Sequence, residues 1–398
     1  MRRAVDLLLP AGVDRRGIGV LATGHFGSDF FQGTVPALLP FLVAERGYSY
    51  GKVGALVLAA SLGSAFLQPV LGAIADRIRG TAMMPAGLFL AAGGLGGVGL
   101  FDSFAATAVA LMLGGFGVAA YHPEAIRFAS RVSAGKQGAG MGFFAVGGSA
   151  GFMVGPALTS GAILAVGLHG LLIVAVVELA IATLVASQLG YLSRFRSAGG
   201  GERREDAGRS DWPRFGVIAS TAVVRATVSI GAQTFVPLYL VAELGTGEGL
   251  STLAISTYFG TTLVGSIIGG RLADRFGFVR VATISIVLGL PCLVPLPFVG
   301  VGGVFALVAV YGLFSGMNFY PLVVLAQRAV PRHLGLAAGV MLGMSIGLGS
   351  ALVSLLGVLA DHAGTGAVLW AVVGGAALAA ALATYLAATA RHAASVAA

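Results

Sequence analysis

The stretch ATGHFGSDFFQG, residues 22–33, sets His25, Asp29 and Gln32 inside an apolar run from Gly17 to Ala44. An imidazole takes and releases protons near neutral pH, and a spacing of four puts His25 and Asp29 on one helix face. A charge at the centre of a bilayer costs about 2.5–3.5 kcal/mol, so a titratable pair there reads as functional, and proton transfer is the chemistry it can do. A second apolar run holds Arg225, whose guanidinium fork suits a carboxylate or phosphonate. A third ends with His122, Glu124 and Arg127, of which the last two, three apart, can pair along one helix. Gln32, Gln233 and Asn318 are uncharged candidates for hydrogen bonds to a solute. Glu178 stands alone in its span and reads as a protonated or locally hydrogen-bonded carboxyl rather than a site. The single cysteine, Cys292, has no metal-ligand company and reads as a small packed hydrophobe. No catalytic cluster and no metal site is expected.

The elements that must position these residues follow from composition. The chain has 398 residues, 57% hydrophobic and 10% charged, against roughly 25% charged in soluble domains. That much apolar surface implies a multi-pass membrane protein. A crossing helix needs about 20 mostly apolar residues. Such runs fall at 17–44, 50–75, 81–101, 104–130, 136–166, 168–193, 213–242, 250–272, 279–299, 302–329, 334–361 and 366–390. Twelve spans put both termini on one side. With that side cytoplasmic, Arg46 and Lys52 alone of the 24 Lys and Arg fall outside, and Arg225 lies in mid-span. The net charge of +8 therefore decorates membrane edges and argues against nucleic acid. The opening MRRAVDLLLPAGVDRRGIG does not read as a cleavable signal, because Asp14, Arg15 and Arg16 interrupt its short apolar stretch.

The polar segment SRFRSAGGGERREDAGRSDWPR, 193–214, reads as a flexible linker. It divides the chain into a first half, 1–192, a linker, 193–213, and a second half, 214–398. At an offset of 198 residues LVAERG (42–47) meets LVAELG (240–245), GAIADR (72–77) meets GRLADR (270–275), and Pro123 meets Pro321. Duplicated six-helix units around a central site are a transporter architecture. The repeated turn supplies Gly72, Asp76 and Arg77 in one half and Gly270, Asp274, Arg275 and Gly277 in the other. Glycine permits a tight turn there, and the charges can pair across helix ends. Two decoys are set aside. GLGGVG (94–99) lies inside a span, without the strand a dinucleotide site needs, and the ladders Gly147, Gly151, Gly155 and Gly339, Gly343, Gly347 read as helix contacts where the halves slide.

The G-x-x-x-D-R turns, the twelve spans and the 6+6 repeat resemble the major facilitator superfamily. Gly142, Gly151, Gly155 and Pro156 match the pattern of its antiporters, with Thr159 and Ser160 in place of the usual closing glycines. YHPEAIRFA (121–129), FFAVGGSAGFMVGPAL (143–158), GHFGSDFFQ in span 1 and LGVLADHAG (356–364) resemble the fosmidomycin-resistance branch. That branch is taken to export small antibacterial compounds in exchange for protons.

The resemblance implies an all-α fold of two pseudo-symmetric six-helix bundles. It also implies that Asp29 and Arg225 face a central cavity from opposite halves. Proton coupling is then expected of Asp29, His25, His122 and Glu124. Substrate contacts are expected of Arg225, Arg127, Gln32, Gln233 and Asn318, and gating of the two G-x-x-x-D-R turns. The expected protein is a monomeric, multi-pass exporter in a bacterial cytoplasmic membrane, not an enzyme, driven by the proton gradient without a cofactor. Its partners are protons, lipid and a small solute. Local charge leaves the alternative of proton–anion symport open, because an anion on Arg225 would help Asp29 to take up a proton. A non-transport membrane scaffold or enzyme is the remaining alternative.

Overall fold

The structure is a computed structural model describing residues 12–66, 82–133, 137–195, 210–333, 336–337 and 339–397. Every regular element among them is helical. In hydrocarbon a helix satisfies its backbone polar groups internally, which is why so apolar a chain builds helices. Eight helical stretches among the described residues are long and apolar enough to cross a membrane. Two of them, Gly140–Ser187 and Gly339–Ala390, run to 48 and 52 residues.

In chain order the helices are α1 (Arg15–Arg46), α2 (Tyr50–Ser61), α3 (Met83–Leu100), α4 (Phe104–Val132), α5 (Gln137–Val166), α6 (Gly170–Ser187), α7 (Trp212–Ala242), α8 (Glu248–Phe276), α9 (Phe278–Leu293), α10 (Val301–Ala329) and α11 (Ser345–Ala397). Local signals set their ends. The Ser103 hydroxyl accepts from Ala106 N at 3.2 Å to cap α4, and the Asp211 carboxylate accepts from Arg214 N at 3.0 Å to cap α7. Gly277, at φ +92°, turns the chain from α8 into α9, and Gly364, at φ +80°, interrupts α11.

The chain packs as two compact units. One contains Met1–Phe41 with Ala59–Gly201, the other Leu42–Leu58 with Glu202–Ala398. Leu42–Leu58, from the first sequence half, packs with the second unit. The reason is close backbone packing within that unit. A methyl group on Gly54 would sit 2.9 Å from Ser354 Cα, and one on Gly357 would strike the Tyr50 carbonyl. Asp361 then caps α2 from α11, its carboxylate accepting from Tyr50 N at 2.7 Å and Gly51 N at 2.8 Å. In the first unit the α5 glycines approach α1. Added methyls on Gly147 and Gly151 would meet the carbonyls of Ala22 and Phe26, and one on Gly155 that of Phe30. The span-5 ladder, expected where the halves slide, is therefore a helix contact inside one unit, while Gly142 has open space beside it. Gly72, Asp76 and Arg77 lie outside the described residues.

Candidate functional site

The first unit gathers a polar cluster around Asp29, which is buried. Helix spacing brings His25 beneath it, with Nε2 3.2 Å from Oδ2. His122 arrives from α4, its Nε2 3.2 Å from Oδ1. Gln32, one turn further along α1, donates from Nε2 to the same Oδ1 at 2.9 Å. The three titratable side chains bring their reactive atoms within 4.8 Å of one another.

Each ring is fixed from behind. His25 Nδ1 lies 2.8 Å from the Phe144 carbonyl, and its ring stacks on Phe144 at 4.0 Å between centroids. His122 Nδ1 lies 3.0 Å from the Val118 carbonyl and 3.3 Å from Ser28 Oγ. A carbonyl can only accept, so both Nδ1 atoms carry hydrogen. Both Nε2 atoms then point at the two oxygens of one carboxyl. For both contacts to be hydrogen bonds, two further protons must be shared among His25, Asp29 and His122. Without them two imidazole lone pairs face a carboxylate. The geometry thus leaves two positions a proton could occupy, one between each Nε2 and the carboxyl.

Its supports are specific. Gly148 on α5 leaves the space, since a methyl there would collide with Asp29 Oδ2 and the His25 ring. Tyr121, fully buried beside His122, donates to the Leu21 carbonyl at 2.6 Å and locks α4 onto α1. Further along α4, Arg127 and Glu124 form a salt bridge, with Glu124 almost fully buried. Glu178 on α6 is 0% exposed, and among the described residues neither oxygen has a hydrogen-bond partner. The expected local hydrogen bond is not found there; the carboxyl instead abuts Gly27, where a methyl would sit 3.0 Å from Oε1.

The second unit holds Arg225 among neutral acceptors. Its Nε donates to Asn318 Oδ1, and one Nη donates to the Ser315 carbonyl at 3.0 Å and the Ser315 hydroxyl at 3.2 Å. The guanidinium lies 5.2 Å from the Phe319 ring centroid. Asn318 is held in turn by donating to the Phe314 carbonyl at 2.8 Å. Hydroxyls extend the network, with Ser315 Oγ 2.8 Å from Tyr258 and 3.3 Å from Ser229. Among the described residues no carboxylate pairs with Arg225, and its second Nη forms no hydrogen bond. A half-buried cation solvated only by neutral groups has a free donor that suits an anion. Gln233, two turns along α7, lines a small apolar pocket with Tyr258 and Tyr311.

The structure thus joins His25, Asp29, His122 and Gln32 in one cluster, Arg225 and Asn318 in another, and Glu124 with Arg127 in a third place. Gln32, expected on the substrate, is turned onto Asp29. Asp274 and Arg275 are exposed at the α8–α9 turn, and among the described residues Asp274 forms no ion pair. Phe144, Gly148, Ser315 and Tyr258 have no part in the sequence expectation. A backbone carbonyl or a helical serine gives no spacing signal.

A helical chain with eight stretches long and apolar enough to cross a membrane, and with polar clusters buried among them, has the makings of a multi-pass membrane protein. Models of the Major Facilitator Superfamily match residues 21–228 and 217–397, and the chain belongs to that superfamily. It is similar to the fosmidomycin resistance protein of Escherichia coli (strain K12), 27% identical over 357 residues, 87% of this chain and 86% of the relative. It is 26% identical over 361 residues to the uncharacterized MFS-type transporter YfnC of Bacillus subtilis (strain 168), covering 87% of this chain and 86% of that one. A POT family transporter solved in complex with a thioalcohol-conjugated peptide shares the fold at TM-score 0.75 and 14% identity, over 97% of this chain and 99% of that one. The protein therefore handles a small-molecule substrate in a membrane and resembles the fosmidomycin-resistance branch.

Proposed function

We propose that the protein is a proton-coupled exporter of a small organic anion, phosphonate or carboxylate in character. It would work by alternating access in a bacterial cytoplasmic membrane, as a monomer driven by the proton gradient without a cofactor. Twelve spans in two six-helix halves, 1–192 and 214–398 about the linker 193–213, would place both termini in the cytoplasm. The length of Gly140–Ser187 and Gly339–Ala390, each enough for two crossings, supports that count. Asp29 held between two back-anchored histidines carries the reading, because each Nε2–carboxyl contact offers a place for a proton. His25, Asp29 and His122 would hold the exchanged protons and Gln32 would orient the carboxyl. Arg225 and Asn318 would bind the anion, with Gln233 beside it. Glu124 and Arg127 would serve as a neutralised pair next to the proton site, and Asp274 with Arg275 would act in the conformational switch. Export is favoured by similarity to a protein named for drug resistance.

The uncompensated charge of Arg225 favours a second reading, proton–anion symport. Fosmidomycin, added to purified protein in weak buffer, separates the two. Antiport by competition requires net proton release on binding, reduced in Asp29→Asn and His25→Gln. Net uptake would establish symport and overturn export. Binding with no proton change in either direction would remove proton coupling altogether.

A further inference from the structure

At one end of the second unit, away from Arg225, the starts of α7 and α9 and the ends of α10 and α11 enclose a cleft of about 820 Å³. That volume falls within the roughly 300–1,000 Å³ of small-ligand sites. Its charged lining is Arg214, Arg280 and Arg328 against Asp211. The one carboxylate is committed to capping α7. Among the described residues none of the three guanidinium groups has a carboxylate partner. Arg328 lies over the Phe278 ring at 4.4 Å, which holds its fork in place at the cleft wall. Guanidinium groups lining one cleft without carboxylate partners suit phosphate oxygens.

The surroundings favour a lipid over a free phosphate. Trp212 is 47% exposed next to Asp211, Tyr385 is 58% exposed near Ala387, and Phe276, in the lining itself, is 50% exposed. Trp and Tyr exposed at helix ends mark the membrane–water boundary, where headgroups lie. Basic clefts between helices at that level take anionic headgroups. We propose that this cleft binds the phosphodiester headgroup of an anionic phospholipid. Gly277, the glycine that closes the G-x-x-x-D-R turn, also lines it, so a bound headgroup would sit directly against the α8–α9 turn.

The chain has two tryptophans, Trp212 and Trp370. In Trp370→Phe protein, Trp212 reports from the rim of the cleft. Brominated phosphatidylglycerol should quench it at a mole fraction lower, by roughly tenfold or more, than brominated phosphatidylcholine. R280Q/R328Q should abolish the preference, R280K/R328K should retain most of it, and R271Q, an exposed arginine outside the cleft, should leave it intact. The lysine pair guards against a mere folding defect. Equal quenching by the two lipids, or a preference that survives R280Q/R328Q, would overturn the site. Relief of quenching by millimolar inorganic phosphate would assign the cleft to free phosphate and overturn the lipid.

Discussion

Arg225 is the residue on which the proposed substrate class depends. Its Nε and one Nη are spent on Asn318 and Ser315, which leaves the other Nη to meet an anion. Arg225→Lys keeps the charge but loses the fork, and Arg225→Gln loses both. A charge-assisted hydrogen bond is worth about 1.5–3 kcal/mol, so Arg225→Gln should weaken an anionic substrate by roughly 10- to 100-fold, with Arg225→Lys between. Equilibrium binding to purified protein checks this; tighter binding of cationic compounds by the glutamine variant would refute it. At this scale the sequence was informative where a polar side chain breaks an apolar run. His25, Asp29 and Arg225 stand out on cost alone. Their partners do not. The Phe144 carbonyl that orients His25 is backbone, common to any residue type. Gly148 looks like one more glycine in a glycine-rich helix, although only a hydrogen fits against Asp29. Gln32 was legible as polar but not as a ligand of Asp29 rather than of a solute, because a three-residue spacing allows both.

The α8–α9 turn is the element tied to switching rather than binding. Asp274 is exposed, unpaired among the described residues, and lies near the end of α8, well beyond Tyr258 and the Arg225 network. Asp274→Asn should slow turnover by about tenfold while leaving the substrate Kd nearly unchanged, a pattern read from single-turnover transport beside equilibrium binding. A large loss of affinity would move Asp274 to the substrate site. Element type and most element bounds were legible, since an apolar run of this length in lipid has no alternative to helix. Element partnership was not. The α5 ladder signalled a close helix neighbour but not that the neighbour is α1, and nothing local in Leu42–Leu58 shows that its companions lie beyond residue 350. Such pairings depend on contacts far apart in sequence, where periodicity carries no information.

In a membrane that carries a voltage, the proposed proton site at Asp29 has a consequence for the whole molecule. A site filled by two protons makes each exchange for a monoanion carry three positive charges inward, two on the protons and one from the departing anion. Each charge is worth about 2.3 kcal/mol per 100 mV, so the voltage alone would contribute roughly 7 kcal/mol per cycle at 100 mV. Two-proton symport would carry one charge instead. Proteoliposomes clamped at a potassium diffusion potential, with no pH difference, should therefore drive substrate toward the positive side, with a reversal ratio of three charges per monoanion. His122→Gln should bring that ratio to two, and a voltage-indifferent wild type would refute the two-proton count. On these terms the transporter behaves as a battery-driven pump, and a cell that loses its membrane potential loses most of its export capacity even while its surroundings stay acidic.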